Sequence, residues 1–421
     1  MSRNLKILVT GTAGNLPRHG FSSGIATRVL NHSRVLTQLG CEIHVFETFK
    51  QNWDFQDVPI RAHWVFNERS VIEIIPKFIV SFFILLIGQS RFTLSTVFQM
   101  FLLYSKRSFD YEILGISFAY VHALFKVVRS EHIDVIDHHG GNELAFLVCS
   151  VANFVKVPVV IEAYAEGITL NRKEKLLKNV FCDSSVRWVV APSAYCLDGV
   201  KKYVGSSKKM AVVISGAFDN FVRFSRERAR RILKIPQKLF VFLCVGRLYR
   251  EKGPQYALEA FSMLCKNPAN YYLIFVGSDG GMRDLLISMR KELKLSNRIH
   301  FAGTVSFEEL MLYYSAADAL VFPSVRTAEC MGLPIKEAYF FDLPVIGFDI
   351  GGVPEAILDG KTGFVVHARD TKALASCMER VANNENLRVI FAHNIPIWRS
   401  RFSASKTGEN LYKILHDATL S

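Results

Sequence analysis

Short apolar runs alternate with amphipathic stretches along most of this chain. KILVTG, from Lys6, is followed by a stretch from Ile25 to Leu39 whose apolar positions recur at helical spacing, and then by EIHVFET, from Glu42. DVIDHHG, VPVVIEAY and RWVVAPS continue the series. Apolar runs of this length, bounded by Gly, Pro or Ser, read as buried strands, and strands alternating with helices predict a parallel sheet covered on both faces. The scheme then restarts with FVFLCVGRL, a helix from Gln255 to Cys265, YYLIFVGS, a helix from Met282 to Leu293, IHFAG, ALVFPS and PVIGFD. Two Rossmann-like, doubly wound α/β domains are therefore predicted, over residues 1–215 and 216–400. The boundary falls in VVISGAFDNF, where a strand gives way to Gly216 and small or polar residues. RFSASKTGENLYKILHDA, within 401–421, reads as a closing helix. Ligands of open parallel sheets collect beyond the carboxyl ends of the strands, so two such sheets facing each other predict a cleft walled by their loops.

Two stretches on those loops carry candidate chemistry. RTAECMGLPIKEA, Arg326 to Ala338, holds Glu329 and Glu337 with seven residues between them. Pro334 suits the first turn of a helix and Gly332 the turn before it, which puts Glu329 in a loop and Glu337 about one turn into the helix. The intervening amides, Cys330 to Leu333, lack helical partners and can donate to an oxygen-rich ligand. Sugar and ribose hydroxyls call for acceptors such as carboxylates. As geometry alone, the stretch reads equally well as one solvated acid in a loop and another on a helix. The second stretch, VGRLYREKG, puts Arg247 and Lys252 just beyond a strand ending at Val245. A planar fork of donors beside a mobile point charge suits a diphosphate whose negative charge grows as a bond to it breaks. Taken alone, this too reads as a solvent-facing basic loop.

Composition narrows the partners. The chain has 421 residues, half of them hydrophobic, and a formal net charge of +13. The cations are spread through both halves, which favours nucleotides or anionic headgroups. With no zinc-finger spacing, arginine-rich arm or basic helix carrying base-stacking aromatics, nucleic acid is not an expected partner. The eight cysteines include no C-x-x-C pair and several lie in apolar runs, as expected of buried thiols in a reducing compartment. The N-terminal apolar stretch is short and followed at once by glycines, which reads as a strand rather than a signal peptide, so the expected location is cytoplasmic. Ile74 to Arg107 is the greasiest region, but its longest uncharged apolar run, Phe78 to Gly88, falls short of the ~18 to 20 residues of a spanning helix. It reads either as buried or domain-flanking helices or as a surface dipping into one leaflet, with Lys77, Arg91, Lys106 and Arg107 meeting headgroups on the inner face of the plasma membrane. His138 and His139 are adjacent, which is poor metal-ligand spacing for a helix. His139 stands either as a structural residue at a strand end or as a cleft group that titrates near neutral pH.

Taken in order, GRLYREKG, GSDGG, FAGTV, LMLYYSAADALVFPS, AECMGLPIKEA and LPVIGFDIGGVPEAILDGKTGFVV resemble the C-terminal domain of the retaining GT-B glycosyltransferases of group 1, also called family four. The likeness covers essentially all of residues 240 to 370. It continues more weakly in SSGIATRVLNHSRVLTQLGCEIHVF, IDVIDHHG and VVAPSAY.

The resemblance implies that Arg247 and Lys252, with Gly246 heading their loop, bind the donor diphosphate and stabilise the departing nucleoside diphosphate. It implies that Glu329, first acid of the E-x7-E motif, contacts the transferred sugar, and that Glu337 holds the ribose hydroxyls. Backbone groups around Met331, Gly332 and Leu333 would touch sugar and phosphate. Gly24 would open the first long helix near the phosphates, His139 would stand beside the reacting centre, and the closing helix within 401–421 would pack back on the N-terminal domain. Metal-dependent sugar transferases usually hold their ion with a D-x-D motif, which this chain lacks, so no obligate metal or other cofactor is expected. Three departures from the family pattern stand out: Asp342 replaces a glycine before the PVI strand, Tyr164 with Glu162 and Glu166 replaces a histidine, and Met331 replaces a frequent aromatic residue.

The expectation is a retaining transferase moving a sugar from a nucleotide-sugar to a hydroxyl acceptor, a glycan or lipid-linked precursor of cell-surface polysaccharide. Its rivals are a nucleotide-sugar epimerase of the same architecture and a catalytically silent saccharide-binding subunit.

Overall fold

The computed structural model describes residues 4–11, 24–49, 58–66, 111–141, 143–165, 174–216, 221–265 and 271–420. The apolar region from Ile74 to Arg107 lies outside them, as does Glu166. The chain divides into two compact units: Met1–Pro192, Leu197–Val213 and Thr407–Ser421 form the first, Ser193–Cys196 and Ile214–Lys406 the second.

In chain order the first half contains β1 (Lys6–Thr10), α1 (Gly24–Gln38), β2 (Glu42–Phe49), β3 (Ile60–Phe66), α2 (Tyr111–Ser130), β4 (Val135–His139), α3 (Glu143–Val155), β5 (Val159–Glu162), α4 (Glu174–Phe181), β6 (Val186–Ala191), α5 (Ala194–Lys201) and β7 (Lys209–Val212). All seven strands pair in parallel, in the order β3-β2-β1-β4-β5-β6-β7. Successive side chains of a strand point to opposite faces, and the core divides accordingly. Ile7, Val9, Ile43, Val45, Val135 and Val160 share one cluster with Val29 and Leu36 of α1. Leu8, Phe46, Ile136 and Ile161 share the other with Tyr120 and Leu124 of α2 and Val148 of α3.

The second half runs α6 (Arg226–Ile232), β8 (Phe240–Val245), a 3-10 turn at Arg250–Lys252, α7 (Pro254–Leu264), β9 (Tyr271–Val276), α8 (Arg283–Glu292), β10 (Ile299–Gly303), α9 (Phe307–Ala316), β11 (Ala319–Phe322), α10 (Leu333–Phe340), β12 (Val345–Asp349), α11 (Val353–Ala356), β13 (Gly363–His367), α12 (Thr371–Asn383), α13 (Glu385–Arg399) and α14 (Ala404–Leu420). Its sheet, β10-β9-β8-β11-β12-β13, is again wholly parallel. Val241, Phe242 and Leu243 in β8 and Leu320 and Val321 in β11 are fully enclosed, as strands covered by helices on both faces must be. Asp342 takes the left-handed conformation at φ 59°, the backbone role of the glycine it replaces and one an Asp tolerates better than most residues. Its carboxylate pairs with Arg223 and Arg399.

The last helix belongs to the first unit. Leu411, Ile414, Leu415 and Ala418 of α14 share the cluster of β1, β2 and α1, and Trp188 of β6 donates to Asp417 at 2.7 Å. Contact with α1 is close: a Cβ on Gly408 would lie 2.6 Å from the Cβ of Val35. Gly408→Leu therefore sets two effects against each other. Helix propensity alone predicts a gain of about 1 kcal/mol, whereas overpacking against Val35 costs roughly 1–3 kcal/mol or more. The expected outcome is a net loss of stability in the transition that reports the first unit; a gain by chemical denaturation would show that α14 does not pack there.

Candidate active site

In a sheet ordered β10-β9-β8-β11-β12-β13 the chain winds outward from β8 in one direction and from β11 in the other, which leaves a crevice beyond the carboxyl ends of these two strands. The loops leaving β8 and β11 are stitched together there. Val325 donates its amide to the Glu251 carbonyl at 2.8 Å, and the Ser324 hydroxyl oxygen lies 3.2 Å from the same oxygen. The contact is so close that a Cβ on Gly253 would fall 1.9 Å from the Pro323 carbonyl oxygen.

This stitching brings Lys252, at the end of the 3-10 turn, into an ion pair with Glu329. The Ser324 hydroxyl donates to the same carboxylate oxygen at 2.9 Å, and the ammonium sits 5.5 Å over the Phe322 ring. Burial works against the charge on Lys252, but the adjacent Glu329 outweighs it and raises the lysine's pKa. Arg247 is exposed, and with Gly246, Lys252, Phe322 and Pro323 it lines one small pocket. The two cations expected to grip a diphosphate thus face a common space next to Glu329. An ammonium has three donors and Glu329 takes one, leaving two for an oxygen-rich ligand.

Glu329 and Glu337 lie on either side of the start of α10, as their spacing implies. Gly332 stands at φ 70° immediately before the helix, whose first turn contains Pro334. Among the described residues the amides of Met331, Gly332 and Leu333 donate to no protein group. From behind, Gly352 donates to the Glu329 carbonyl at 2.8 Å, and a Cβ on Gly352 would lie 1.6 Å from the Cys330 carbonyl oxygen. The paired glycines of DIGGVPEA thus let that segment seat the Glu329 loop, a role their adjacency signals in the sequence. Met331 directs its side chain into the core of the second unit, 1% exposed.

Glu337 is buried, and Tyr314 of α9 donates its hydroxyl to it at 2.6 Å. Burial raises the Glu337 pKa; the Tyr314 hydrogen bond and the charge of Lys336 pull the other way without cancelling it. Tyr314, stacked on Phe341 at 5.2 Å between centroids, and Ser324 are the partners that the sequence reading missed. Both lie in the motif LMLYYSAADALVFPS, where nothing marks one hydroxyl-bearing residue above its neighbours.

Gly24 and His139 belong to the first unit. Gly24 is the first residue of α1. His139 ends β4 next to the Tyr164 hydroxyl, 2.8 Å from Nδ1, with Glu162 at 3.4 Å and Asp137 at 3.6 Å. Its ring is 1% exposed, so it stands as an enclosed group rather than one open to a sugar hydroxyl. Arg28 of α1 forms a buried ion pair with Glu162 and donates to the Val213 carbonyl at 2.8 Å. Burial opposes the imidazolium, but the two carboxylates prevail and raise the His139 pKa. Burial likewise opposes the Glu162 carboxylate, and Arg28 and His139 hold its pKa below the usual range. Asp137, His139 and Glu162 have ligand atoms within 4.8 Å of one another, a spacing a metal could use, which adjacency of histidines in the sequence does not reveal. Arg28 already supplies a positive charge there.

Residues 225–398 match the family model described as glycosyl transferases group 1. That span of the chain belongs to this family. Among curated proteins, the D-inositol 3-phosphate glycosyltransferase of Corynebacterium urealyticum is 29% identical over 250 residues, covering 57% of this chain and 58% of that protein. The chain thus matches little more than half the length of such relatives. Among solved structures, a glycosyltransferase from Rickettsia africae superposes with a TM-score of 0.73 at 16% identity, covering 99% of this chain and 98% of that one. HepE from Anabaena, crystallised with UDP, gives 0.71 at 16% identity over 98% and 100% of the two chains. At such identities the likeness establishes the fold, which is GT-B.

Tyr314→Phe keeps the stacked ring and removes one hydroxyl, leaving the buried Glu337 carboxyl short of its donor. The expected cost, read by chemical denaturation of the second unit, is about 1–3 kcal/mol. A loss below about 0.5 kcal/mol would show that the hydrogen bond does not hold this carboxyl.

Proposed function

We propose that the chain is a retaining glycosyltransferase that moves a sugar from a nucleotide-sugar donor to a hydroxyl acceptor. The observation that carries the reading is the joining of Arg247, Lys252 and Glu329 at the crevice between β8 and β11, with Glu337 held by Tyr314 one turn into α10. In this reading Arg247 and Lys252 stabilise the departing nucleoside diphosphate, work that fixed charges do without reorganising during the reaction. Amides of Met331, Gly332 and Leu333 add donors at the start of α10, where the helix dipole favours anions. Glu329 accepts from hydroxyls of the transferred sugar and Glu337 from the ribose. On the acceptor side we assign Gly24, near the phosphates, and His139, beside the reacting centre.

The bond from the anomeric carbon to the diphosphate oxygen breaks, and the acceptor oxygen bonds to the same face of that carbon. The acceptor's proton passes to the departing phosphate oxygen. No enzymic nucleophile is required, and the protein contributes positioning and charge stabilisation. The cations and helix start serve in place of an obligate metal.

The acceptor we favour is a glycan or lipid-linked precursor of cell-surface polysaccharide, met at the cytoplasmic face of the membrane. Among the described residues no helix is long and apolar enough to cross a bilayer. The name of the corynebacterial relatives makes a phosphorylated cyclitol the second acceptor to assay. UDP heads the donor candidates, since the HepE crystal contains it.

A thermal-shift panel of UDP, GDP, ADP and their sugar conjugates tests the donor. A true ligand at about 100 times its Kd adds ~2.7 kcal/mol of stability; no shift with any of them would reject the reading. Incubation with donor alone separates a transferase from an epimerase, because only the epimerase converts the sugar without acceptor. Lys252→Ala should lower kcat roughly 10²–10³-fold with a much smaller rise in KM. Unchanged kcat would remove Lys252 from the charge-stabilising role.

A further inference from the structure

Residues 221–239 lead into β8 along the outside of the second unit, and their fastening decides which side faces water. Phe221 stacks on Phe307 at the start of α9, the Val222 amide meets the Met311 sulfur at 3.1 Å, and the Phe224 amide donates to the Ser315 hydroxyl at 3.2 Å. One arginine of this segment points inward: Arg230 is buried, donating to the carbonyls of Ala316, Gln237 and Leu239 and to the carboxylate of Asp318. With Arg230 and Ala229 committed to the interior, the other cations are turned out.

Arg223, Arg226, Arg228, Arg231, Lys234 and Lys238 are all exposed. Arg223 pairs with Asp342 and Arg226 with Asp318; among the described residues, the other four have no ion-paired carboxylate. Besides those two carboxylates, the exposed acids nearby in the chain or in the packed α9 include Glu227, Glu308 and Glu309, the last engaged in capping that helix. The same segment carries two aliphatic side chains with more than half their surface in water, Val222 at 53% and Ile232 at 51%.

We propose that this face docks on an anionic lipid surface, its cations meeting headgroups while Val222 and Ile232 enter the headgroup–acyl boundary. Charge complementarity selects an anionic partner. The exposed aliphatics select a bilayer over a soluble polyanion, which offers them nothing apolar. Its docking does not depend on the donor site.

Co-sedimentation with vesicles of phosphatidylcholine, alone or with a third of phosphatidylglycerol, tests it on the full chain. Wild type should bind the mixed vesicles, ignore the neutral ones and release with added salt. The triple variant Arg228→Glu, Arg231→Glu, Lys234→Glu should bind the mixed vesicles at least about tenfold more weakly, and Val222→Ser with Ile232→Ser should weaken binding as well. A smaller loss in the triple variant overturns the proposal, because another surface then carries the association. So does an unchanged Val222, Ile232 variant, which would reduce the face to a polyanion site, or a wild type that ignores anionic vesicles. An unaltered melting temperature and nucleotide shift in each variant confirm the fold, and failure of the nucleotide shift in wild type counts against the transferase reading alone.

Discussion

The stitching of the loops leaving β8 and β11 is the constraint on which the candidate site depends. Backbone and hydroxyl groups of Ser324 and Val325 reach the Glu251 carbonyl, and the absence of a side chain at Gly253 lets the two loops close to contact. Only then can Lys252 meet a carboxylate that lies 77 residues later in the chain. The pair is also self-limiting in charge: Glu329 offsets the cost of holding an ammonium in a largely enclosed place, while two of its donors remain for a ligand. Arg247, exposed beside the same pocket, brings a second cation without a second burial cost.

The two units solve the problem of charge at a strand end differently. In the second, Glu337 is a single buried carboxyl held by a phenol, with its proton affinity raised by burial. In the first, Asp137, His139, Glu162, Tyr164 and Arg28 form one enclosed network in which opposite charges meet. Buried pairs of this kind contribute little net stability compared with apolar packing, but removing one partner strands the other in a low-dielectric interior. Glu162 and Arg28 of α1 are thus one structural unit.

Much of the fold was legible because buried parallel strands must be apolar for several residues in succession. That signal marks β1, β5, β8, β9, β11 and β12, whereas buried β4, VIDHH, carries only two apolar residues before Asp137, His138 and His139. Edge strands need not carry it, having one neighbour rather than two. IRAHWVF, which forms β3, and KMAV, which forms β7, mix charged and apolar residues, and both lie at the sheet's edges. At the site, Arg247, Lys252, Glu329 and Glu337 were legible because glycine, proline and charge fall at fixed places around loops. Tyr314, Ser324 and Arg28 were not, since a hydroxyl or guanidinium becomes a partner only when a distant element delivers a carboxylate to it.

By itself, then, the sequence determined two α/β units, the strand ends at which charged loops emerge, and the helix start between Glu329 and Glu337. These follow from local periodicity and from the backbone preferences of glycine and proline, which act over a few residues. Tertiary structure alone decided that Lys252 pairs with Glu329, that Tyr314 holds Glu337, and that His139 is enclosed by two carboxylates. Each joins groups far apart in the chain, and their meeting depends on sheet order and on burial, which no local pattern encodes.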